Sequence, residues 1–339
     1  MKIQNIIRNH KLEKFTINEL LIKTNDCYLY ADLKLYFEPY FRVSQEPKSS
    51  KVCQEELIAL VIEDEVFNNL IKEVNYKEVV NMLYGGRGKN GDHFYLSSYK
   101  CNIEGYTALF FDYLSAFYLT DEKGKFYVLV KSTQILYRFV RRLVRSEFLY
   151  RDWIKNHFIP LHGACVVKGN TAVAFIGDSG SGKTSAMLPL IEYLGYDYVA
   201  SDLIFLEKNG TGVLGSPEKM RITQTTLQQY SPKYDYLIKT NKYEKLALSP
   251  LHFSIAYHCK IFPMATLKTI ILPEINIASG VNSMKKINSS LVLKKYLSPF
   301  FNNHNQFENV LWTGEVYQLH YTGDVNQLVE IYKNCEVFI

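Results

Sequence analysis

The apolar positions change period along the chain, and the changes divide it into elements. Phe15–Ile17 and Cys27–Tyr30 are short β-prone runs, followed by the aromatic segment LKLYFEPYF at 33–41, whose rings are expected to fill a mixed α/β core. Residues 54–83 repeat at helical spacing, and YGGRGKNGD at 84–92 is a loop whose glycines and cations leave open a second anion site. Three β-rich stretches follow, at 93–101, 106–119 and 125–132, with DEKGK at 121–125 as a turn. Residues 133–156 then predict a basic amphipathic helix, with Ile135, Phe139, Leu143 and Val144 on one face and Arg138, Arg141, Arg142 and Arg145 around the rest. Ile159–Val167 reads as one strand, returned by the turn at 168–170 into a second, Thr171–Ile176.

That second strand opens the most informative stretch, TAVAFIGDSGSGKT at 171–184. Gly177, Gly182, Lys183 and Thr184 fill the pattern G-x-x-x-x-G-K-[ST] (Walker A), with Asp178, Ser179, Gly180 and Ser181 between them. A helix follows from Ser185, with Met187, Leu188, Ile191 and Leu194 on one face and Gly195 at its end. Strand, glycine loop and helix together are the context of a P-loop, in which residues 177–185 cradle phosphates with backbone N–H groups. Lys183 reaches the β/γ-phosphates and Thr184 ligates magnesium in such a loop. A nucleotide such as ATP, with Mg2+, is the expected cofactor.

Downstream, Gly195–Asp202 predicts a strand ending in an acid, and Leu203–Leu206 another strand turned back by residues 208–212. An aspartate at a strand end beside a P-loop is a magnesium position, so Thr184 and Asp202 form the predicted metal pair. His162, followed by Gly163, stands just ahead of the loop, where it is either a structural histidine or an actor. Residues 223–242 are polar and tyrosine-rich, suiting a mobile segment over the site. Lys268–Leu272 predicts a core strand ended by Pro273. Val316–Tyr321, then Asp324 as a cap, predict a closing strand and helix.

Composition narrows the class. At 339 residues the chain has room for two domains, and 47% hydrophobic with 22% charged residues is a globular balance. A net charge of +5 spread over this length suits anionic ligands and does not argue for nucleic acid. There is no apolar run of membrane-spanning length, and the opening MKIQNIIRNHKLEK lacks the core of a signal peptide. The six cysteines are far apart with no C-x-x-C, so reduced thiols and a cytoplasmic location are expected.

The segments LHGA (161–164), GDSGSGKT (177–184) and GYDYVASD (195–202) resemble the catalytic domain of the HPr kinase/phosphorylase family, and more closely its stand-alone kinase-like members, some of them in peptide-tailoring pathways. The resemblance is good over 155–206, loose over 207–339 and weak over 1–150. It implies an α/β fold in which residues 151–339 form a P-loop domain with a mixed sheet, related to phosphoenolpyruvate carboxykinase. Residues 1–150 would be a smaller mixed α+β domain that helps recognise the acceptor. It also implies transfer of the ATP γ-phosphate to a Ser/Thr hydroxyl of a peptide or small protein. The family's proline-, glycine- and arginine-rich phosphorolysis segment has no counterpart, so phosphorylase activity is not expected. Relatives carry paired aspartates at the strand end, one acting as base. Here Ser201 takes the first place and Asp202 alone remains, leaving Asp202 and then His162 as the groups to orient the acceptor. Arg221 would clamp developing phosphate charge, and Lys245 is similarly placed. The missing aspartate keeps a second reading open, a nucleotide-binding pseudokinase that regulates a partner without chemistry. Acceptor identity, ATP against GTP preference and self-association into a homo-oligomer are left open.

Overall fold

A computed structural model of the chain describes residues 3–45, 55–74, 76, 78–83, 95–156, 158–208, 210–234, 245–275, 280, 282–288 and 314–338. The loop expected at 84–92 and residues 235–242 of the expected mobile segment lie outside these. The chain divides into two compact units, Met1–Asp152 and Trp153–Ile339, in an α/β architecture.

The elements of the first unit are α1 (Ile3–Arg8), β1 (Glu13–Ile17), β2 (Leu20–Thr24), α2 (Leu29–Phe37), β3 (Val43–Ser44), β4 (Glu55–Val61), α3 (Asp64–Ile71) and β5 (Val79–Leu83). They continue with β6 (Tyr95–Ile103), β7 (Tyr106–Phe111), β8 (Ala116–Thr120), β9 (Phe126–Val130) and α4 (Thr133–Leu143). A π-helical segment at Val144–Tyr150 leads into α5 (Arg151–Lys155). The strands form one sheet in the order β3-β1-β2-β4-β9-β8-β7-β6-β5, parallel at β2–β4 and β4–β9 and antiparallel elsewhere. Both faces are covered. Leu57 and Ala59 of β4 join Val128 and Val130 of β9 under α2 and α4, while Ile58 and Leu60 join Tyr127 and Leu129 on the face of α1 and α3.

The sequence reading changes in three places here. The helical spacing at 54–83 resolves into β4, α3 and β5, because a strand buried on both faces is continuously apolar and loses its alternation. The run at Cys27–Tyr30 opens a helix. Asp26 accepts the Tyr28 N–H at 2.9 Å, and α2 then buries Leu29, Leu33, Tyr36 and Phe37. The basic helix at 133–156 is present in three pieces, capped by Ser132, with Leu136, Phe139, Val140 and Leu143 buried. Arg145, one of the cations placed away from the apolar face of that helix, is buried.

The second unit contains β10 (Phe158–Leu161), β11 (Gly163–Lys168), β12 (Thr171–Ile176), α6 (Lys183–Leu194), β13 (Asp197–Ala200), β14 (Ile204–Glu207), β15 (Gly212–Gly215) and β16 (Met220–Thr223). After these come α7 (Gln224–Tyr230), β17 (Lys245–Leu248), α8 (Pro250–Tyr257), β18 (Met264–Ile275), β19 (Ser283–Ile287), β20 (Glu315–Tyr321) and α9 (Val325–Lys333). The main sheet runs β10-β14-β15-β18-β12-β11-β13, with β20 on β18 and β19 on β20, and β16–β17 is a separate two-stranded antiparallel sheet. It is mixed, with β18 parallel to β12 and β20 and the other pairs antiparallel. The sheet curls so far that Gly163 of β11 meets Ile204 of β14. Its inner face is a core drawn from strands and the turns that join them, including Cys165, Ala174, Ile176, Val199, Ile204, Val213 and Ile270. On the outer face α6 packs on β11 and β12, with α7 and α9 against it.

Three expectations change here. Ile159–Val167 is two strands, since β10 pairs with β14 and β11 with β12 and β13, and His162 is the corner between them. Residues 224–230 of the expected mobile segment form a helix that buries Leu227 and Tyr230. Pro273 does not end its strand. Its carbonyl faces Gly177, beyond the last residue of β12, so the side on which it lacks an N–H has no rung to lose. Among the described residues no helix is long and apolar enough to cross a membrane, and Cys27, Cys101, Cys165, Cys259 and Cys335 are free thiols.

Candidate functional site

The glycine loop leaves the buried end of β12 and is shaped by close contacts at its two ends. A Cβ on Gly177 would lie 2.7 Å from Ser181 Oγ, and one on Gly182 would collide with the Tyr321 hydroxyl and meet Ile275 Cγ1 at 2.6 Å. Gly180 and Gly182 have φ of 89° and 93°, open to glycine and strained for other residues. The Ser181 N–H donates to the Asp178 carbonyl at 3.2 Å, closing the turn, while Asp178, Ser179 and Gly180 form an exposed crest. Gly182 is the N-cap of α6, so the first N–H groups of the helix are directed into the loop. Lys183, nearly buried, donates from Nζ to the carbonyls of Gly177 and Asp178, both at 2.8 Å. Thr184 is half-buried on the first turn, and Ser185 Oγ lies 3.1 Å from Thr226 Oγ1.

Asp202 lies between β13 and β14 with φ of 71°, a left-handed conformation in a residue that carries a side chain. Burial is the largest influence on its carboxyl and holds its pKa above the ordinary carboxylate range. The Arg221 guanidinium opposes this, Glu218 adds to it, and Lys183 and Lys245 oppose it. Asp202 thus shares one electrostatic neighbourhood with the loop lysine, two further cations and a second carboxylate. Arg221 and Lys245 come from the exposed face of the β16–β17 sheet, where Arg221 stands opposite Ala247 and Thr223 opposite Lys245. Ser201 is fully buried, and its hydroxyl has no protein partner. The His162 corner is half-buried, flanked by Leu161 opposite Ile204 and Gly163 opposite Ile176.

The residues read from sequence therefore fall into three groups. Residues 177–185 form the loop and first helical turn, Asp202 with Arg221 and Lys245 forms the charged neighbourhood reaching Lys183, and His162 occupies the corner between the strands. Glu218 escaped the sequence reading although it is three residues before Arg221. Its relation to Asp202 comes from the Ser216 hydroxyl, which donates to the Leu203 carbonyl at 2.7 Å and ties the two segments together. Tyr321, read only as a strand end, supplies a hydroxyl to the Gly182 carbonyl at 2.9 Å.

The sequence matches no family model, and no curated protein sequence matches it significantly. Among solved structures, the HPr(Ser) kinase/phosphatase from Coxiella burnetii is similar over 52% of this chain and 94% of its own, at 12% identity and a TM-score of 0.29. That likeness is too slight to carry a function.

Among the described residues no group of three or more His, Cys, Asp or Glu side chains could enclose a metal. The donors present fit Mg2+ nonetheless. A desolvated carboxylate with a second carboxylate near it, and a threonine hydroxyl at the start of the loop helix, are hard oxygen donors of the kind that share this ion with phosphates.

Proposed function

We propose that the second unit is an ATP- and Mg2+-dependent phosphotransferase acting on a hydroxyl group, with a serine or threonine of a peptide or small protein as acceptor. The observation that carries this reading is the shared field of Lys183, Arg221, Lys245, Glu218 and Asp202 around the glycine loop. The loop amides and Lys183 bind the nucleotide phosphates, and a bound anion competes with the Gly177 and Asp178 carbonyls for the ammonium. Thr184 and Asp202 hold Mg2+, which when bound neutralises charge on the phosphates. Arg221 and Lys245 stabilise the equatorial oxygens of the phosphoryl group in flight. Asp202 also receives the acceptor's hydroxyl proton while the new P–O bond forms and the bond to the ADP leaving group breaks. His162 orients the acceptor from the strand corner, and the first unit contributes acceptor recognition.

A second reading is supported by Ser201. A neutral hydroxyl in the place where the resembled family carries an aspartate cannot take up a proton as a carboxylate does, which favours a nucleotide-binding switch without transfer. Incubation with γ-labelled ATP, Mg2+ and candidate peptides separates the two, since label on an acceptor means a kinase and intact bound ATP means a switch. Lys183→Ala is expected to lower phosphoryl transfer by roughly 10³-fold with the fold retained. Transfer at the parent rate in that variant overturns the site.

A further inference from the structure

Behind the loop, the Tyr321 hydroxyl donates to the Gly182 carbonyl at 2.9 Å, since a carbonyl only accepts. A separate set of hydroxyls joins α7 to the loop helix, where Thr223 Oγ1 donates to Thr226 Oγ1 at 2.8 Å and Thr226 Oγ1 lies 3.1 Å from Ser185 Oγ. Thr223 also caps α7, accepting the Thr226 N–H at 3.1 Å, and it ends β16, the strand that carries Arg221. Tyr321 is fully buried, and burial keeps its hydroxyl protonated as a donor.

The acceptor of the Tyr321 hydroxyl is informative. The Gly182 carbonyl also accepts the Ala186 N–H at 2.8 Å, so both of its lone pairs are engaged on the helix side. In a trans peptide the carbonyl and the next N–H point in opposite directions, and fixing the Gly182 carbonyl therefore fixes the Lys183 N–H toward the loop. We propose that Tyr321 is a positioning residue of the anion site: its buried hydroxyl, by holding the Gly182 carbonyl, locks the Gly182–Lys183 peptide so that the Lys183 amide faces the bound phosphate. This rests on the phosphate-binding reading of the loop.

Calorimetry with Mg–ATP on the full chain tests it, using the parent, Tyr321→Phe and Thr226→Val, which removes a hydroxyl that does not touch Gly182, with thermal unfolding of each measured alongside. Tyr321→Phe is expected to weaken binding about 3- to 10-fold, in keeping with the loss of one hydrogen bond, and Thr226→Val to bind as the parent does. If the parent binds and Tyr321→Phe binds equally well, or Thr226→Val loses as much as Tyr321→Phe, this proposal falls and the loop assignment stands. If the parent itself gives no heat, the loop assignment falls and takes the proposal with it. Should Tyr321→Phe fail to fold, hydrogen exchange of the parent decides, with the Lys183 amide expected to gain protection on Mg–ATP binding and no gain overturning the proposal.

Discussion

Both units build sheets of nine described strands, and both hold residues with side chains at positive φ, but the surroundings of those residues differ. In the first unit Asn18, Glu104 and Ser115 (φ of 50°, 50° and 46°) each lie between consecutive strands that pair with one another, where a hairpin turn needs the left-handed twist. Asn18 further accepts the Arg42 N–H at 3.2 Å. In the second unit His258 ends α8, an ordinary helix terminus. Asp202 has neither excuse, because β13 and β14 pair with other strands and not with each other. Charge follows the same division. Asp26 of the first unit accepts from Thr133 at 2.8 Å and Tyr137 at 2.9 Å and finishes a helix start, whereas Asp202 is desolvated among three cations and a carboxylate. A conformation and a charge that the fold does not require mark where chemistry is to be sought.

The sharpest way to break this contrast is Asp202→Asn. Phosphoryl transfer is expected to drop by about 10²–10⁴-fold, the range for a lost acid–base group. Stability should move the other way. A carboxyl whose pKa is raised by folding contributes stability below its unfolded pKa and loses it as pH rises through the folded value. The amide of the variant cannot ionise, so denaturant titrations should show the variant gaining on the parent as pH rises through that window and matching it in acid. A parent whose stability is flat across the window would place Asp202 with the structural residues.

Arg221→Ala has the next largest expected effect, on the order of 10²-fold on transfer. It should also shift the acidic limb of the pH–rate profile to higher pH, because the guanidinium is the strongest influence lowering the Asp202 pKa. An unmoved limb would show that the two groups do not work together.

The smallest effect comes from a matched pair of glycines. Gly105 and Gly182 have φ of 88° and 93°, but a Cβ meets nothing within 4 Å at the first and collides with Tyr321 and Ile275 at the second. Gly105→Ala should lose about 1–2 kcal/mol to backbone strain alone, and Gly182→Ala roughly 1–3 kcal/mol more from overpacking. Only the second should change Mg–ATP binding. Chemical denaturation with calorimetry checks both.

What could be read in the sequence was what local spacing encodes. The strand at 171–176, the loop and the helix from 183 are consecutive, as are the closing strand and the Asp324 cap, which accepts the N–H groups of Asn326 and Gln327. The β-rich stretches between 95 and 130 alternate over clear turns and were legible too. Leu57–Leu60 was not, because burial on both faces erases the alternation that marks a strand. The break at His162 was hidden because Pro160, Leu161, Ala164 and Cys165 continue the apolar run across it. Glu218 and Tyr321 reach the loop through pairings distant in the chain, and no spacing rule reports such neighbours.

Pro273 has a consequence for the loop itself. Carried two steps beyond the observed register, β18 sets Pro273 abreast of Gly177, the point where β12 gives way to the loop. A residue with an amide proton there would offer the loop backbone another rung, and the sheet would tend to zip onward into it. A ring nitrogen offers none. The ladder is thus halted by a covalent stop, which leaves a main-chain carbonyl unclaimed at the turn where Lys183 Nζ takes those of Gly177 and Asp178.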